Sequence, residues 1–108
     1  MEITRAYVKS ILPHRDPEGH KGTFGKVYCL CGAVGYTGAP VLAASAAVRS
    51  GSGLVFLGVP KDIWPIVAVK CDSAMPSPLP SQQGKLALAA EDAVRAQIDG
   101  CDAVLIGC

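Results

Sequence analysis

The stretch Val27-Tyr28-Cys29-Leu30-Cys31-Gly32-Ala33-Val34-Gly35-Tyr36-Thr37-Gly38-Ala39 decides the fold of this chain, because it joins an apolar run to a glycine-rich turn. Residues 27–31 are apolar without alternation, which is typical of a central parallel strand covered on both faces. Glycines at 32, 35 and 38 let the backbone reach positive φ and let a ligand approach main-chain N–H groups. The stretch predicts a strand, a ligand-binding turn and a helix start, with phosphorylated or dinucleotide ligands as the first candidates.

An alanine-rich segment follows this turn and predicts a helix from Pro40 to Ser50. Proline suits the first helical turn, and Gly51 is placed to end the helix. A second apolar run, Leu54–Val59, matches the helix in length, so the segments predict a right-handed βαβ unit. The carboxyl ends of both strands, and with them the glycine turn, then lie at one edge of the sheet.

Other segments extend this unit in both directions. Apolar residues at four-residue spacing over Arg5–Leu12 predict a short amphipathic helix, with Thr4 as its N-cap and Pro13 as its stop. A polar loop separates this helix from the first strand. Downstream, the sequence predicts a helix over Asp62–Lys70, a proline-rich loop over Met75–Pro80, a helix over Lys85–Ile98 and a buried strand over Ala103–Ile106.

The composition is that of a layered α/β protein. A length of 108 residues suits one domain, half of the residues are hydrophobic and 18% are charged. A net charge of +1 provides no general field for holding polyanions, so nucleic acid is a poor candidate partner. The sequence contains neither an apolar run that could cross a membrane nor a signal peptide. We therefore expect a soluble, cytoplasmic protein that binds a small molecule.

Five cysteines are spread along the chain without the C-x-x-C spacing of zinc or thioredoxin-like sites. Cys29 and Cys31 should share one face of their strand, but no histidine is near in sequence to complete a metal site. We therefore expect reduced, largely buried thiols and no metal site.

The number of predicted strands is small for a parallel sheet. Three almost entirely apolar strands need helices on both faces, and sheets commonly have about five strands or more. We therefore expect residues 1–108 to be a truncated chain or a fragment of a longer protein. If these residues are the whole product, an exposed sheet edge predicts a homo-oligomer.

The glycine turn differs from two common phosphate-binding motifs. It lacks the G-K-[ST] end of a P-loop, so Walker-type hydrolysis is excluded. Its Gly-x-x-Gly-x-x-Gly spacing also departs from the G-x-G-x-x-G of dinucleotide-binding folds. A purely structural turn stays open as an alternative.

A second candidate ligand-binding segment is the loop that contains His20, Lys21, Gly22 and Gly25, just before the first strand. The lysine ammonium and the two glycines are typical of either an anion-binding loop or a structural one. Its place at the amino end of the strand weighs against direct catalysis, because open α/β sheets bind ligands outside the carboxyl ends.

Five segments are informative when they are taken together: His20–Val27, Cys31–Ala39, Leu42–Ala44, Arg49–Val55 and Asp102–Gly107. In order and spacing, across nearly the whole chain, they resemble the ADP/ATP-dependent NAD(P)H-hydrate dehydratases, the YjeF C-terminal-domain family of the ribokinase-like superfamily. Cys108 departs from the pattern, because the family has proline there. The resemblance implies that residues 1–108 are the N-terminal portion of a single domain of this family.

This resemblance implies a three-layer αβα fold with a mostly parallel central sheet, and an enzyme that dehydrates hydrated NADH or NADPH. ADP or ATP with Mg²⁺ would be the co-substrate. The resemblance implies substrate binding at Ala39, Gly38, Gly32 and Gly107, whereas the family's nucleotide-binding segment and essential aspartate lie in its second half. We therefore expect no catalytic residue in this chain. A ribokinase-like kinase of a sugar or vitamin precursor, and an inactive folding or interaction module, stay open as alternatives.

Overall fold

Four parallel strands form the central sheet of the computed structural model, which describes residues 1–107. The strand order is β3-β2-β1-β6, so β1 is central and is paired on both sides. A separate antiparallel hairpin contains β4 and β5. The strands are Lys26–Leu30 (β1), Leu54–Pro60 (β2), Met75–Leu79 (β3), Ser81–Gln82 (β4), Lys85–Leu86 (β5) and Ala103–Ile106 (β6).

Within residues 1–107, four α-helices accompany the strands, and a short 3-10 helix, Leu88–Ala90, precedes the last of them. Thr4 caps the first helix, since its hydroxyl accepts a hydrogen bond from the Tyr7 N–H at 3.2 Å. Gly51, at φ 101°, follows the end of the second. Both capping predictions are confirmed. The helices are Arg5–Ile11 (α1), Gly38–Arg49 (α2), Trp64–Ala68 (α3) and Glu91–Ile98 (α4).

The predicted βαβ unit is confirmed as β1-α2-β2, with the two strands parallel and in register from Lys26 opposite Leu54. Helices α2 and α3 cover one face of the sheet, where alternate residues of β1 and β2 meet small residues of α2. Cys29 and Cys31 share this face, as predicted. The fully buried members of the core include Cys29, Ala44, Val55, Leu57, Val59, Ile63 and Val67.

The opposite face of the sheet carries Tyr28, which is 3% exposed. Burial raises the pKa of its hydroxyl, and Cys101, which follows α4, raises this pKa further. Helix α4 leads directly to Cys101, which lies near Tyr28 on this second face. The expected α/β architecture is present, with a mostly parallel central sheet and accompanying helices.

The prediction of a loop over Met75–Pro80 was wrong, because Met75–Leu79 is strand β3, parallel to β2. Pro76 and Pro78 are two residues apart, so their backbone nitrogens point toward the same edge of the strand. An edge strand tolerates this arrangement, since the N–H groups that the prolines lack would point away from the sheet.

The prediction of one helix over Lys85–Ile98 was also wrong. Gln83 and Gly84 have φ of 52° and 74° and form a tight turn, which pairs Lys85 with Gln82 across the hairpin. Lys85 and Leu86 are thereby part of β5, and the α-helix begins only at Glu91.

Two smaller expectations also need correction. Helix α3 spans only Trp64–Ala68, within the predicted range Asp62–Lys70, and its N-cap residue is Ile63. Asp62 lies before the helix, and its carboxylate accepts a hydrogen bond from the Ser81 hydroxyl. The strand Ala103–Ile106 is present, but all four residues are exposed. It is an edge strand that pairs, within residues 1–107, with β1 alone.

Candidate functional site

A cleft of about 400 Å³ opens where β1 and β6 end side by side. The chain runs outward from β1 to β2 and β3 and then returns to the other side of β1, so the strand order reverses between β1 and β6. Ligands of open α/β sheets bind outside the carboxyl ends at such a reversal. The lining residues are Leu30–Ala33, Lys85–Leu86 and Ile106–Gly107.

The glycine turn forms one wall of this cleft. Gly32 and Gly35 have φ of 92° and 87°, which confirms the predicted positive φ at these two positions. A Cβ atom at Gly32 would also lie 2.8 Å from Ile63 Cδ1 and 3.0 Å from Pro40 Cγ. Position 32 therefore requires glycine for two reasons. Its φ is positive, and α2 and the Ile63 side chain approach too closely for a Cβ atom.

Gly38 and Ala39 form the first turn of α2 and do not line the cleft. Gly38 does not share the positive φ of the other two glycines, and a Cβ atom there would meet nothing within 4 Å. Thr37 makes no side-chain capping bond to this helix. The first-turn N–H groups of α2 are therefore not satisfied by its N-cap side chain and can meet an anionic group.

The other wall contains Gly107, whose N–H donates to the Leu30 carbonyl oxygen at 3.1 Å. Its φ of 119° suits glycine alone, and the space at its Cβ position is open. The structure therefore brings Gly32 and Gly107, which are far apart in sequence, to one cleft. Substrate binding by these residues and by Gly38 and Ala39 stays a prediction.

The β4–β5 hairpin closes a third side of the cleft. Its tip is attached to the glycine turn, because the Val34 N–H donates to the Gly84 carbonyl oxygen at 2.8 Å. A Cβ atom at Gly84 would lie 2.7 Å from Val34 Cγ2, so the two segments touch. This contact holds Lys85 beside the cleft. Lys85 was not predicted as a site residue, because the segment that begins with it has a helical repeat, although Gly84 before it is a turn signal.

The loop of His20, Lys21, Gly22 and Gly25 lies at the opposite edge of the sheet, before β1. His20 Nδ1 accepts from the Gly22 N–H at 3.1 Å, and the His20 carbonyl oxygen accepts from the Thr23 N–H at 2.8 Å. The Gly25 carbonyl oxygen accepts from the Gly53 N–H at 3.0 Å. These bonds are typical of a structural loop, and anion binding by it stays a prediction.

A larger cavity, of about 550 Å³, is found at that same edge. Arg15 lies in it, but its guanidinium donates to the Gly51 carbonyl oxygen at 3.0 Å and stacks 3.8 Å above the Phe24 ring. These contacts attach the N-terminal loop to the end of α2. We place the functional site at the smaller cleft, because it lies at the strand-order reversal and contains the predicted glycines.

Among residues 1–107, no three His, Cys, Asp or Glu side chains lie close enough together to hold an ion. Burial raises the pKa of the Cys71 thiol, and the Asp72 carboxylate raises this pKa further, which favours the protonated form.

Among residues 1–107, no helix has the length and apolar character needed to cross a membrane.

Comparison with known proteins agrees with the geometry. The family model described as NAD(P)H-hydrate dehydratase matches residues 27–108, which include both strands and both glycines of the cleft. The chain is 39% identical over 106 residues to the bifunctional NAD(P)H-hydrate repair enzyme of Moorella thermoacetica. That match covers 97% of this chain but 20% of the relative, so the chain spans about a fifth of the relative's length.

Two solved structures are similar in fold. The ADP/ATP-dependent NAD(P)H-hydrate dehydratase of Bacillus subtilis, co-crystallised with ATP and Mg²⁺, superposes with a TM-score of 0.62 at 35% identity, over 69% of this chain and 27% of that one. A ribokinase-like superfamily protein of Enterococcus faecalis superposes with a TM-score of 0.75 at 20% identity, over 97% of this chain and 34% of that one. The second likeness concerns the fold alone.

Proposed function

The chain belongs to the NAD(P)H-hydrate dehydratase family, and on this premise we propose that the protein repairs nicotinamide nucleotides by dehydrating hydrated NADH or NADPH at the expense of ADP or ATP. The observation that carries the proposal is the cleft at the ends of β1 and β6. Two of its walls, around Gly32 and Gly107, come from two of the five segments that resemble the family, and they lie together at the expected edge of the sheet.

Residues 1–107 would contribute the substrate side of the site. The walls are formed by backbone, by apolar side chains and by Lys85, and the N-terminus of α2 lies next to the glycine turn. An apolar wall suits a flat nicotinamide or adenine ring, and helix N–H groups suit a phosphate. Among the described residues that line the cleft, none is a carboxylate or an imidazole, so we assign these residues to binding and not to proton transfer.

Phosphorylation of the hydrate hydroxyl, followed by loss of phosphate, is the chemistry that the family resemblance implies. Such a transfer depends on Mg²⁺ and positioned charges. Magnesium prefers carboxylate oxygens, and the described residues offer no such cluster. The described residues therefore do not fit the metal.

Product analysis tests the proposed function. The protein, as its gene encodes it, is incubated with hydrated NADPH and ATP or ADP, and the products are identified by NMR. We expect NADPH together with inorganic phosphate and the shortened nucleotide. A stable phosphorylated alcohol formed from a sugar or vitamin precursor, with no NADPH, would instead support a ribokinase-like kinase. No turnover at all would support a binding or folding module.

A further inference from the structure

We propose that Lys85 binds a phosphate group of the nucleotide substrate from the β4–β5 hairpin. This inference rests on the proposed function, because it concerns the ligand of the same cleft. It adds a charged, side-chain contact to a site whose other predicted contacts are glycines and one alanine.

The position of Lys85 is the first reason. Lys85 and Leu86 line the same cleft as Gly32 and Gly107, so a ligand that fills the cleft meets the hairpin as well as the ends of β1 and β6. Lys85 is itself exposed, which leaves its ammonium free to follow a ligand phosphate.

The hairpin that carries Lys85 is fixed at both ends, which is the second reason. At its tip, Gly84 is bonded to Val34 of the glycine turn. At its base, the Ala87 N–H donates to the Pro80 carbonyl oxygen at 3.0 Å, and the Ser81 hydroxyl donates to the Asp62 carboxylate. A cation on a fixed support loses less conformational freedom when it binds a ligand.

Charge is the third reason. Lys85 carries the one formal charge among the described residues that line the cleft, and the remaining walls are mostly apolar. Arg95 and Glu91 form the one ion pair found within residues 1–107, so no carboxylate in that part of the chain neutralises Lys85. A single cation beside low-dielectric walls attracts an anion, and a lysine ammonium is a common phosphate ligand.

Three variants of the protein as its gene encodes it test this inference: Lys85→Gln, Lys85→Arg and, as the matched control, Lys9→Gln on the exposed face of α1. NADPH binding is measured by calorimetry, and KM and kcat are measured with hydrated NADPH. We expect Lys85→Gln to weaken NADPH binding and raise KM by about tenfold with kcat within about twofold, since a charge-assisted bond is lost. Lys85→Arg should restore most of the affinity, and Lys9→Gln should leave it unchanged.

The outcomes separate this inference from the proposed function. If the wild-type protein turns over hydrated NADPH and Lys85→Gln keeps the wild-type affinity, the inference is wrong and the function stands. If turnover is absent but NADPH binds and Lys85→Gln weakens it, the function is wrong and the lysine contact stands. Absence of NADPH binding to the wild-type protein overturns the inference as well.

Discussion

Replacing Gly53 with alanine will lower the free energy of unfolding by about 3 kcal/mol. A Cβ atom at this position would overlap the Lys21 carbonyl oxygen and lie 2.7 Å from the Lys21 carbonyl carbon and 3.1 Å from the Gly25 carbonyl oxygen. All three atoms belong to the backbone, so no side chain can rotate away. The Gly53 N–H also donates to the Gly25 carbonyl oxygen at 3.0 Å, which fixes the two segments against each other.

Thermal unfolding of Gly53→Ala measures this effect, and the midpoint should fall by about 10 °C or more. Gly100→Ala is the matched control, because the nearest atom to its added Cβ, the Gln97 carbonyl oxygen, lies at 3.7 Å and its φ is not positive. The control should stay within about 0.5 kcal/mol of the wild type. Equal midpoints for the two variants would mean that the loop before β1 does not pack on Gly53.

The largest effect on activity is expected for Ala39→Glu, which should reduce kcat/KM for hydrated NADPH by about 100-fold. Ala39 is the second residue of α2 and is half-buried beside the glycine turn. A glutamate there would occupy the space in front of the first-turn N–H groups and repel the phosphates of the substrate. The measurement is steady-state turnover of the protein as its gene encodes it.

Loss of folding should not explain that result. The first turn of α2 contains no acidic residue, and a carboxylate at a helix N-terminus stabilises the helix by about 0.3–1 kcal/mol. Ala46→Glu is the control, since the same side chain is added at an exposed position farther along α2. If Ala39→Glu and Ala46→Glu retain equal turnover, the first turn of α2 does not contact the substrate.

The βαβ unit could be predicted from sequence because each of its signals is local. The apolar runs, the alanine-rich helix and the terminating Gly51 all depend on residues next to one another in the chain. The capping of α1 by Thr4 is likewise local, because it joins residues that are three positions apart. Family membership, inferred from segments such as Cys31–Ala39, is confirmed by the match over residues 27–108.

The errors arose where tertiary contacts override local preference. Pro76 and Pro78 are poor strand residues, yet β3 forms because β2 offers it an edge where their missing donors are harmless. Lys85 and Leu86 fit a helical repeat, but the Gln83–Gly84 turn and its contact with Val34 place them in a hairpin. The exposure of β6 depends on its place at the sheet edge, which its apolar sequence does not reveal.

The site was predictable only in part for the same reason. Gly32 could be found from the turn signal after β1, and Gly107 from the family resemblance. Lys85 could not be found from the sequence, since its place in the cleft depends on a hairpin that was not predicted.

The cytoplasmic location and the homo-oligomeric state stay predictions.

A crystal structure of the protein with bound NADPH tests the central claim, that the cleft at the ends of β1 and β6 binds the nicotinamide nucleotide. We predict the nucleotide within about 4 Å of Gly32 and Gly107, with a phosphate near Lys85. The loop from His20 to Gly25, at the other edge of the sheet, should make no contact with it. A nucleotide bound instead to that loop, or in the cavity that contains Arg15, would contradict the account.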